Sequence, residues 1–232
     1  MNKKIAFLTT IFPMSEDYLV NFFDSLQKQT FKNFDIVIVN DGYTNFEKFR
    51  KKYHDLNIVE LPYSDTISKN REYGINYVIE QKYDILVFGD SDDYFSNNRV
   101  EKSIELLMQY DIVVNDLSLF EHNSIYCEKY ISNRIQNYTV INYDFIKDKN
   151  IFGLSNTALN VKILGKITFD KDLVAVDWFL YKKLLRSGHQ AIFTNETETY
   201  YRQYEDNTIG LDIANGTFPL WWENVDLLKE NN

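Results

Sequence analysis

Short apolar runs alternate with amphipathic segments along the first ninety residues of the chain. The continuous apolar runs, which predict strands buried on both faces, are residues 5–9, 35–40, 57–61 and 85–88. The segments with apolar residues at helical spacing, which predict helices, are residues 15–28, 45–52 and 64–81. Strands that alternate with helices in this way predict a parallel sheet with helices on both faces.

The pattern continues less regularly in the second half. It predicts helices at 98–109 and 171–187 and strands at 112–114, 190–194 and 198–202. Residues 156–164 suit either a strand or a short helix, and residues 121–150 have no clear period. No linker or internal repeat interrupts the chain. We therefore expect one α/β domain with a mostly parallel, twisted sheet.

Polar residues follow each of the first four predicted strands. Thr9 ends the first, Asp41 follows the second, Arg71 lies in the segment after the third, and Asp90 follows the fourth. Because ligands bind outside the carboxyl ends of strands in open parallel sheets, these groups are expected around one site. Taken alone, Asp41 before Gly42 is equally typical of a turn, and Arg71 of a solvated helix face. G-x-G-x-x-G and P-loop sequences are absent, so neither a dinucleotide site nor a P-loop is predicted.

Three carboxylates lie within four residues after the fourth strand: Asp90, Asp92 and Asp93. Such a cluster suits either a solvated loop or a site where a cation offsets the charge, and the cluster by itself favours neither. An EF-hand calcium loop is disfavoured, because Phe95 occupies the position that requires glycine. With Arg71 as the single basic candidate, the carboxylates suit a diphosphate bridged by Mn²⁺ or Mg²⁺.

Composition narrows the classes of function. The chain has 232 residues, of which 44% are hydrophobic, enough for one sizeable core. The net charge of -9 argues against a nucleic-acid partner, since phosphate binding needs a basic surface. Cys127 is the single cysteine, so an intrachain disulfide and a cysteine metal cluster are excluded. No cleavage site follows the apolar start and no apolar run has membrane-spanning length, so we expect a cytoplasmic protein.

Residues 25–42, SLQKQTFKNFDIVIVNDG, resemble the S-L-x-x-Q-T…I-V-D-D-G stretch of family 2 glycosyltransferases of the GT-A fold. In that family the second aspartate contacts the nucleobase; Asp41 retains it, whereas Asn40 replaces the first. Thr9 lies where the family's first-strand loop touches the base, although Ile11-Phe12 replaces the usual Tyr-Asn after it.

Two further segments resemble the donor-binding motifs of this family. Arg71-Glu-Tyr-Gly74 resembles the R-N-x-G that follows the third strand. Asp90-Ser-Asp-Asp93 resembles the D-x-D element, which binds the metal and the ribose and diphosphate of the donor.

The second half resembles the family more weakly. Val176-Asp177-Trp178 is similar to the E-D-W motif, with Asp177 at the catalytic base and Val176 replacing the glutamate. Residues 201–208 are similar to the Y-R-Q-H-x-x-N-T of rhamnosyltransferase-like members, with Tyr204 replacing the histidine. From the residues alone, Asp177 in its apolar predicted helix either faces the surface or is held near a site. The Q-x-x-R-W of processive enzymes is absent.

The resemblance implies an inverting, metal-dependent transfer of one sugar from a nucleoside diphosphate sugar, of UDP or dTDP type, to an acceptor hydroxyl. The implied roles are Asp177 as catalytic base, Thr9, Asp41, Arg71, Asp90 and Asp92 as donor ligands, and Asp92 and Asp93 as ligands of Mn²⁺ or Mg²⁺. The acceptor would be a glycan or a lipid-linked molecule in bacterial surface polysaccharide, lipopolysaccharide or glycoconjugate synthesis. Such a role is compatible with peripheral association with the inner face of the membrane.

The same resemblance divides the single domain into functional parts. Residues 1–115 would bind the nucleotide sugar, residues 116–210 would hold the acceptor and the base, and residues 211–232 would form a tail. The Trp221-Trp222 pair of that tail suits either ordinary packing or a contact with lipid or acceptor.

Two other functions are weighed against transfer. A nucleotide-sugar or glycan-binding module that has lost activity would explain the replacements at Asn40, Val176 and Tyr204. A nucleotidyltransferase is disfavoured, because residues 9–15 lack the glycine-rich, basic triphosphate loop that it requires after the first strand.

Overall fold

Ten strands form one sheet within residues 3–121, 124–147 and 150–203, the part of the chain that this computed structural model describes. The strands are β1 (Ile5–Ile11), β2 (Asp35–Asn40), β3 (Asn57–Pro62), β4 (Ile85–Phe88), β5 (Tyr94–Phe95), β6 (Ile112–Glu121), β7 (Ser124–Cys127), β8 (Val140–Ile141), β9 (Thr157–Asn160) and β10 (Ala191–Arg202). The Tyr204 position and the Trp221-Trp222 pair lie outside the described residues.

The first half of the sheet is parallel, as predicted. In spatial order β3, β2, β1 and β4 are parallel neighbours, and the sheet continues through β9, β6, β10 and β5. β9 runs antiparallel to both β4 and β6, whereas β6 and β10 are parallel to each other. The reversed β9 therefore joins two parallel groups into one mixed sheet.

Helices cover both faces of this sheet. In the described residues they are α1 (Glu16–Gln27), α2 (Phe46–Lys52), α3 (Ile67–Glu80), α4 (Arg99–Leu106), α5 (Tyr143–Ile146) and α6 (Val176–Arg186). The apolar sides of α1, α2 and α4 share one core, and those of α3, α5 and α6 share the other. None of these helices, over the described part of the chain, has the length and apolarity needed to cross a membrane.

Gly74 explains how closely α3 approaches the sheet. A Cβ atom at this position would lie 2.9 Å from side-chain atoms of both Leu8 and Val39, closer than packed carbon atoms come. A glycine inside a helix is typical of a position where a neighbouring element approaches closely, and Gly74 is such a position. The consequence is that the middle of α3 packs directly against β1 and β2.

Two elements of the second half differ from their predictions. The helix predicted from residue 171 begins at Val176, because Asp170 caps a turn instead: its side chain accepts a hydrogen bond from the Asp172 backbone N–H (2.9 Å). Asp177 therefore lies in the first turn of α6 rather than mid-helix. The two strands predicted at 190–194 and 198–202 are one strand, β10, with a register irregularity between Thr194 and Glu198.

The segment without a clear period contains short elements. β7 pairs with the end of β6, β8 pairs with β10, and α5 follows β8. The ambiguous segment at 156–164 forms β9 and then a 3₁₀ turn, so both alternatives are partly realised.

Candidate active site

A pocket of about 170 Å³, lined by both polar and apolar side chains, opens at the carboxyl ends of β1 and β4, near the starts of α3 and α6. Arg71, Asp90, Asp92 and Asp177 line it, together with Tyr201 of β10. Four of the residues predicted from the sequence are therefore brought together from three separate parts of the chain. The pocket is at the edge where a parallel sheet is expected to bind ligands.

The loop that carries the three acids is tied down from both sides. The Ser155 hydroxyl accepts a hydrogen bond from the Asp90 backbone N–H (3.2 Å) and donates one to the Asp93 carboxylate. On the other side, the Ser91 hydroxyl donates to the Thr10 carbonyl (2.7 Å). The acidic loop is consequently fixed between β1 and the turn that precedes β9.

Asp93 lies beneath the pocket wall and not on a solvated loop. Its side chain is 1% exposed, and its second oxygen accepts a hydrogen bond from the Arg202 backbone N–H (2.8 Å). Burial, with the charges of Asp92 and Asp90, raises the pKa of Asp93 well above its ordinary value. Of the two predicted metal ligands, Asp92 is the one that lines the pocket.

Arg71 and Asp90, two predicted donor ligands, form an ion pair across the pocket. Their side chains are only 16% and 25% exposed. Arg71 therefore offsets the charge of Asp90, and two further carboxylates, Asp92 and Asp177, line the same small volume. An anionic ligand would enter this pocket most readily together with a cation.

Asp177 forms part of the pocket wall at the start of α6. One of its carboxylate oxygens accepts a hydrogen bond from the Trp178 backbone N–H (2.7 Å). Burial raises the pKa of Asp177 to about 6; the nearby Asp90 adds to the rise, while the Trp178 N–H and Arg71 oppose it. A carboxylate with this pKa is mostly ionised at neutral pH yet basic enough to accept a proton from a ligand.

Asp41 lies at the end of β2, outside the lining of this pocket. Its carboxylate accepts hydrogen bonds from the Ser64 hydroxyl and from the Asn70 side chain (2.8 Å). The preceding Asn40 has a structural explanation: its amide donates to Glu60 (2.6 Å) and to the Tyr43 carbonyl (3.1 Å). An aspartate at position 40 would face Glu60 with a like charge, so the replacement is understandable without reference to a ligand.

Thr10, and not Thr9, occupies the position at the pocket that is predicted for Thr9. Thr9 is completely buried, whereas Thr10 lines the pocket. Successive residues of a strand face opposite sides, so Thr10, and not the predicted Thr9, faces the pocket.

Tyr201 is a pocket residue for which no role is predicted from the sequence. Its ring lines the pocket with Asp92 and Asp177. Burial, followed by the surrounding carboxylate charges, raises the pKa of Tyr201 well above its ordinary value. Its hydroxyl is thus protonated near neutral pH and can donate a hydrogen bond. The Y-R-Q motif at residues 201–203 is a sequence signal that could have indicated Tyr201. Ser155 follows a segment without clear periodicity and has no such signal.

The comparison with protein families agrees with this geometry. Residues 10–167, more than half of the chain, match the family described as glycosyl transferase family 2. The chain belongs to glycosyl transferase family 2. The match begins in β1 and ends beyond β9, so it includes the acidic loop and Ser155 and stops before Asp177.

Two characterised glycosyltransferases are similar to the chain in sequence. The glycosyltransferase GlyA of Streptococcus pneumoniae is 24% identical over 219 residues, which cover 87% of this chain and 31% of GlyA. The dTDP-rhamnosyl transferase RfbG of Shigella flexneri is 23% identical over 148 residues, which cover 58% of this chain and 48% of RfbG. The chain thus spans less than half the length of these relatives.

Solved structures of S. aureus TarS have the same fold. TarS 1-349 in complex with UDP-GlcNAc superposes with a TM-score of 0.68 at 16% identity, covering 88% of this chain and 60% of that one. The same fragment in complex with UDP gives a TM-score of 0.67 at 17% identity. The GT-A-like fold predicted from the sequence is confirmed.

The residues of the pocket fit the divalent cation that family 2 members of this fold commonly use. Carboxylate oxygens are the ligands that Mg²⁺ and Mn²⁺ prefer, and Asp90 and Asp92 supply them at the pocket surface. Over the described residues no three His, Cys, Asp or Glu side chains converge as metal ligands, so the remaining positions would be filled by phosphate oxygens or water.

Proposed function

We propose that this chain transfers one sugar from a nucleoside diphosphate sugar to an acceptor hydroxyl, with inversion at the anomeric carbon. The observation that carries the proposal is the pocket itself. It combines Asp177, a carboxylate with a raised pKa, with the acid pair Asp90 and Asp92 and the basic Arg71. Inverting transfer requires both a base and diphosphate-binding groups around one site, and this pocket offers candidates for both.

In this mechanism the oxygen of the acceptor hydroxyl attacks the anomeric carbon of the donor sugar, and Asp177 accepts the proton of that hydroxyl. The bond between that carbon and the diphosphate oxygen breaks, and the diphosphate leaves with the electron pair. Arg71 contacts the diphosphate, and Asp92, with Asp90, would hold Mn²⁺ or Mg²⁺. The cation, when bound, would neutralise the negative charge that develops on the leaving group. The hydroxyl of Tyr201 would donate a hydrogen bond to the sugar or the diphosphate.

The donor is proposed to be of UDP or dTDP type. TarS binds UDP and UDP-GlcNAc, and RfbG is named for dTDP-rhamnose, so both kinds of pyrimidine nucleotide occur among similar proteins. Asp41, at the end of β2, would accept a hydrogen bond from the base. The carboxylate is half-buried and already oriented by its hydrogen bond from Asn70. Little side-chain conformational entropy would therefore be lost when the base binds.

The acceptor is proposed to be a glycan or a lipid-linked molecule. Three exposed apolar side chains stand at the pocket rim: Phe12 (41% exposed), Ile67 (57%) and Val174 (65%). They come from the loop after β1, the start of α3 and the turn before α6, so they surround the opening. An apolar rim of this kind suits the carbon face of a sugar or the lipid portion of a linked acceptor.

The decisive measurement is nucleotide binding with and without metal. UDP and dTDP are titrated by calorimetry in Mn²⁺ and in EDTA, and binding that depends on Mn²⁺ is expected. Product-detected hydrolysis of a donor panel then tests the chemistry without requiring the acceptor. Equal affinity in both buffers would refute the metal role, and absence of nucleotide binding in both would refute the proposed function.

A binding module without activity is the second candidate, and Val176 favours it. This residue is 4% exposed and lines the pocket beside Asp177, where the family motif has a glutamate. Nucleotide binding without turnover of any donor in the panel would support the module.

A further inference from the structure

Arg202, the last residue of β10, is buried beside the acidic loop. Its side chain is 5% exposed although it carries a charge. Its guanidinium lies 4.1 Å from the ring centre of Tyr18 in α1 and 4.4 Å from that of Phe120 in β6. Both rings are within the distance at which cations and aromatic faces attract each other, so they limit its movement.

Two hydrogen bonds join Arg202 to the acidic loop. Its side-chain Nε–H donates to the Asp92 carbonyl (2.7 Å), and its backbone N–H donates to the Asp93 carboxylate (2.8 Å). The first bond fixes the backbone from which the Asp92 side chain projects into the pocket. The second fixes the neighbouring carboxylate below the pocket wall. Arg202 does not line the pocket, whereas the adjacent Tyr201 does.

We propose that Arg202 is a positioning residue, which holds the Asp92–Asp93 loop in the geometry that binds a cation-bridged diphosphate without touching that ligand. The proposal rests on the proposed function and deepens it. Three acids on a short loop repel one another, and such a loop would spread unless it is restrained. A restraint set before the ligand arrives removes an ordering cost from binding.

The planar guanidinium is required for this task. Lysine retains the charge, but its ammonium group has neither an N–H of fixed direction nor a flat surface on which two rings can pack. Methionine retains much of the length and apolar packing without charge or donor. The Arg202→Lys and Arg202→Met variants therefore separate charge from geometry, and both retain the backbone bond to Asp93.

A matched control is available at Arg134. Its guanidinium lies 4.3 Å from the Tyr130 ring centre and donates to the Tyr130 carbonyl (2.6 Å), which reproduces the same kind of contact away from the pocket lining. Arg134→Met should leave the acidic loop unaffected.

The test measures hydrogen exchange of residues 89–95 without ligand, and UDP affinity in Mn²⁺ and in EDTA. In both Arg202 variants we expect faster exchange in this segment. We also expect the part of the UDP affinity that depends on Mn²⁺ to fall about tenfold, the size of one lost hydrogen bond. Affinity in EDTA should be unchanged. Circular dichroism identifies a variant that fails to fold, and Arg202→Lys then carries the test.

Two results would overturn the proposal. Unchanged exchange of residues 89–95 in a folded variant would mean that Arg202 does not restrain the loop. An equal loss of UDP affinity in Mn²⁺ and in EDTA would mean that Arg202 contacts the nucleotide directly. If the unmodified chain bound no nucleotide in either buffer, the proposed function would fail, while the exchange measurement would still decide whether Arg202 restrains the loop.

Discussion

Single carboxylates of this chain differ in their surroundings far more than in their local sequence. Asp90 pairs with Arg71, Asp92 lines the pocket and Asp93 is buried, although all three belong to one tetrapeptide. Asp177, from a different part of the chain, has its pKa raised by burial to about 6. The division of labour among them is thus set by tertiary contacts.

Asp177→Asn is expected to slow sugar transfer or donor hydrolysis about a hundredfold or more, because the amide cannot accept the proton. UDP affinity in Mn²⁺ should be retained, since the proposed role of Asp177 is to accept the acceptor's proton and not to bind the diphosphate. The measurement is the single-turnover rate beside a UDP titration. Asp172→Asn, at an exposed acid in the turn before α6, is the control. Normal turnover by Asp177→Asn would assign the base elsewhere.

The pH dependence of the rate should report the same group. A base acts in its ionised form, so the rate of the unmodified chain should rise with pH up to about 6 and level off above it, in line with the raised pKa of Asp177. Below that value the rate should fall about tenfold per pH unit, because the ionised fraction does. A profile that is flat between pH 5 and pH 8 would contradict the assignment.

Asp41→Ala should weaken UDP binding while Mn²⁺ binding persists. Loss of a hydrogen bond to the base costs roughly 1 to 3 kcal/mol when the partner is left unpaired. The substitution also removes the acceptor of Ser64 and Asn70, so melting temperature must be measured beside calorimetry. Glu47→Ala, on the exposed side of α2, serves as control. Unchanged UDP affinity in Asp41→Ala would exclude a base contact.

At the scale of elements, apolar periodicity predicts the first half well and the second half less well. The strands of the parallel half are continuous apolar runs, and each of them was found. The start of α6 differs from its prediction because apolar periodicity continues through Leu173, whereas a turn capped by the Asp170 side chain precedes the helix. The single β10 was divided in two by the polar stretch at its register irregularity.

Gly74→Ala tests the close packing of α3. Alanine improves helix propensity by about 1 kcal/mol, but the added methyl group must displace Leu8 and Val39, at a cost of about 1 to 3 kcal/mol. We expect a lower melting temperature and reduced nucleotide affinity, because Arg71 is carried by the same helix. Gly165→Ala is the control, since nothing lies within 4 Å of its added Cβ. A higher melting temperature in Gly74→Ala would show that the helix can move away at little cost.

At the scale of the whole molecule, the edge that carries the site was predictable and its supports were not. The rule that strand ends converge brings Arg71, Asp90 and Asp92 together from sequence alone. Ser155 and Arg202 reach the acidic loop from 65 and 110 residues away along the chain. Such contacts depend on how β9 and β10 are placed in the sheet, which no local pattern specifies.

Asp93→Asn is expected to raise the melting temperature by a few degrees at pH 7.5 in EDTA. Burial raises the pKa of Asp93, so the folded state holds its proton more firmly than the unfolded chain does. The contribution of Asp93 to the free energy of unfolding therefore falls as pH rises above about 4, the ordinary pKa of aspartate. The difference between the two proteins should disappear near pH 4. A lower melting temperature for Asp93→Asn at pH 7.5 would show that the charged form is required.

Strand β7 ends in a thiol that can be labelled selectively. It ends at Cys127, the single cysteine of the sequence, and that residue pairs with Leu119, two positions along β6 from Leu117 in the pocket wall. Partial burial raises the pKa of the Cys127 thiol, so labelling should be slow at neutral pH and faster under mildly alkaline conditions. A fluorophore or nitroxide attached there would report from beside the pocket on one defined position, with no cysteine to remove beforehand.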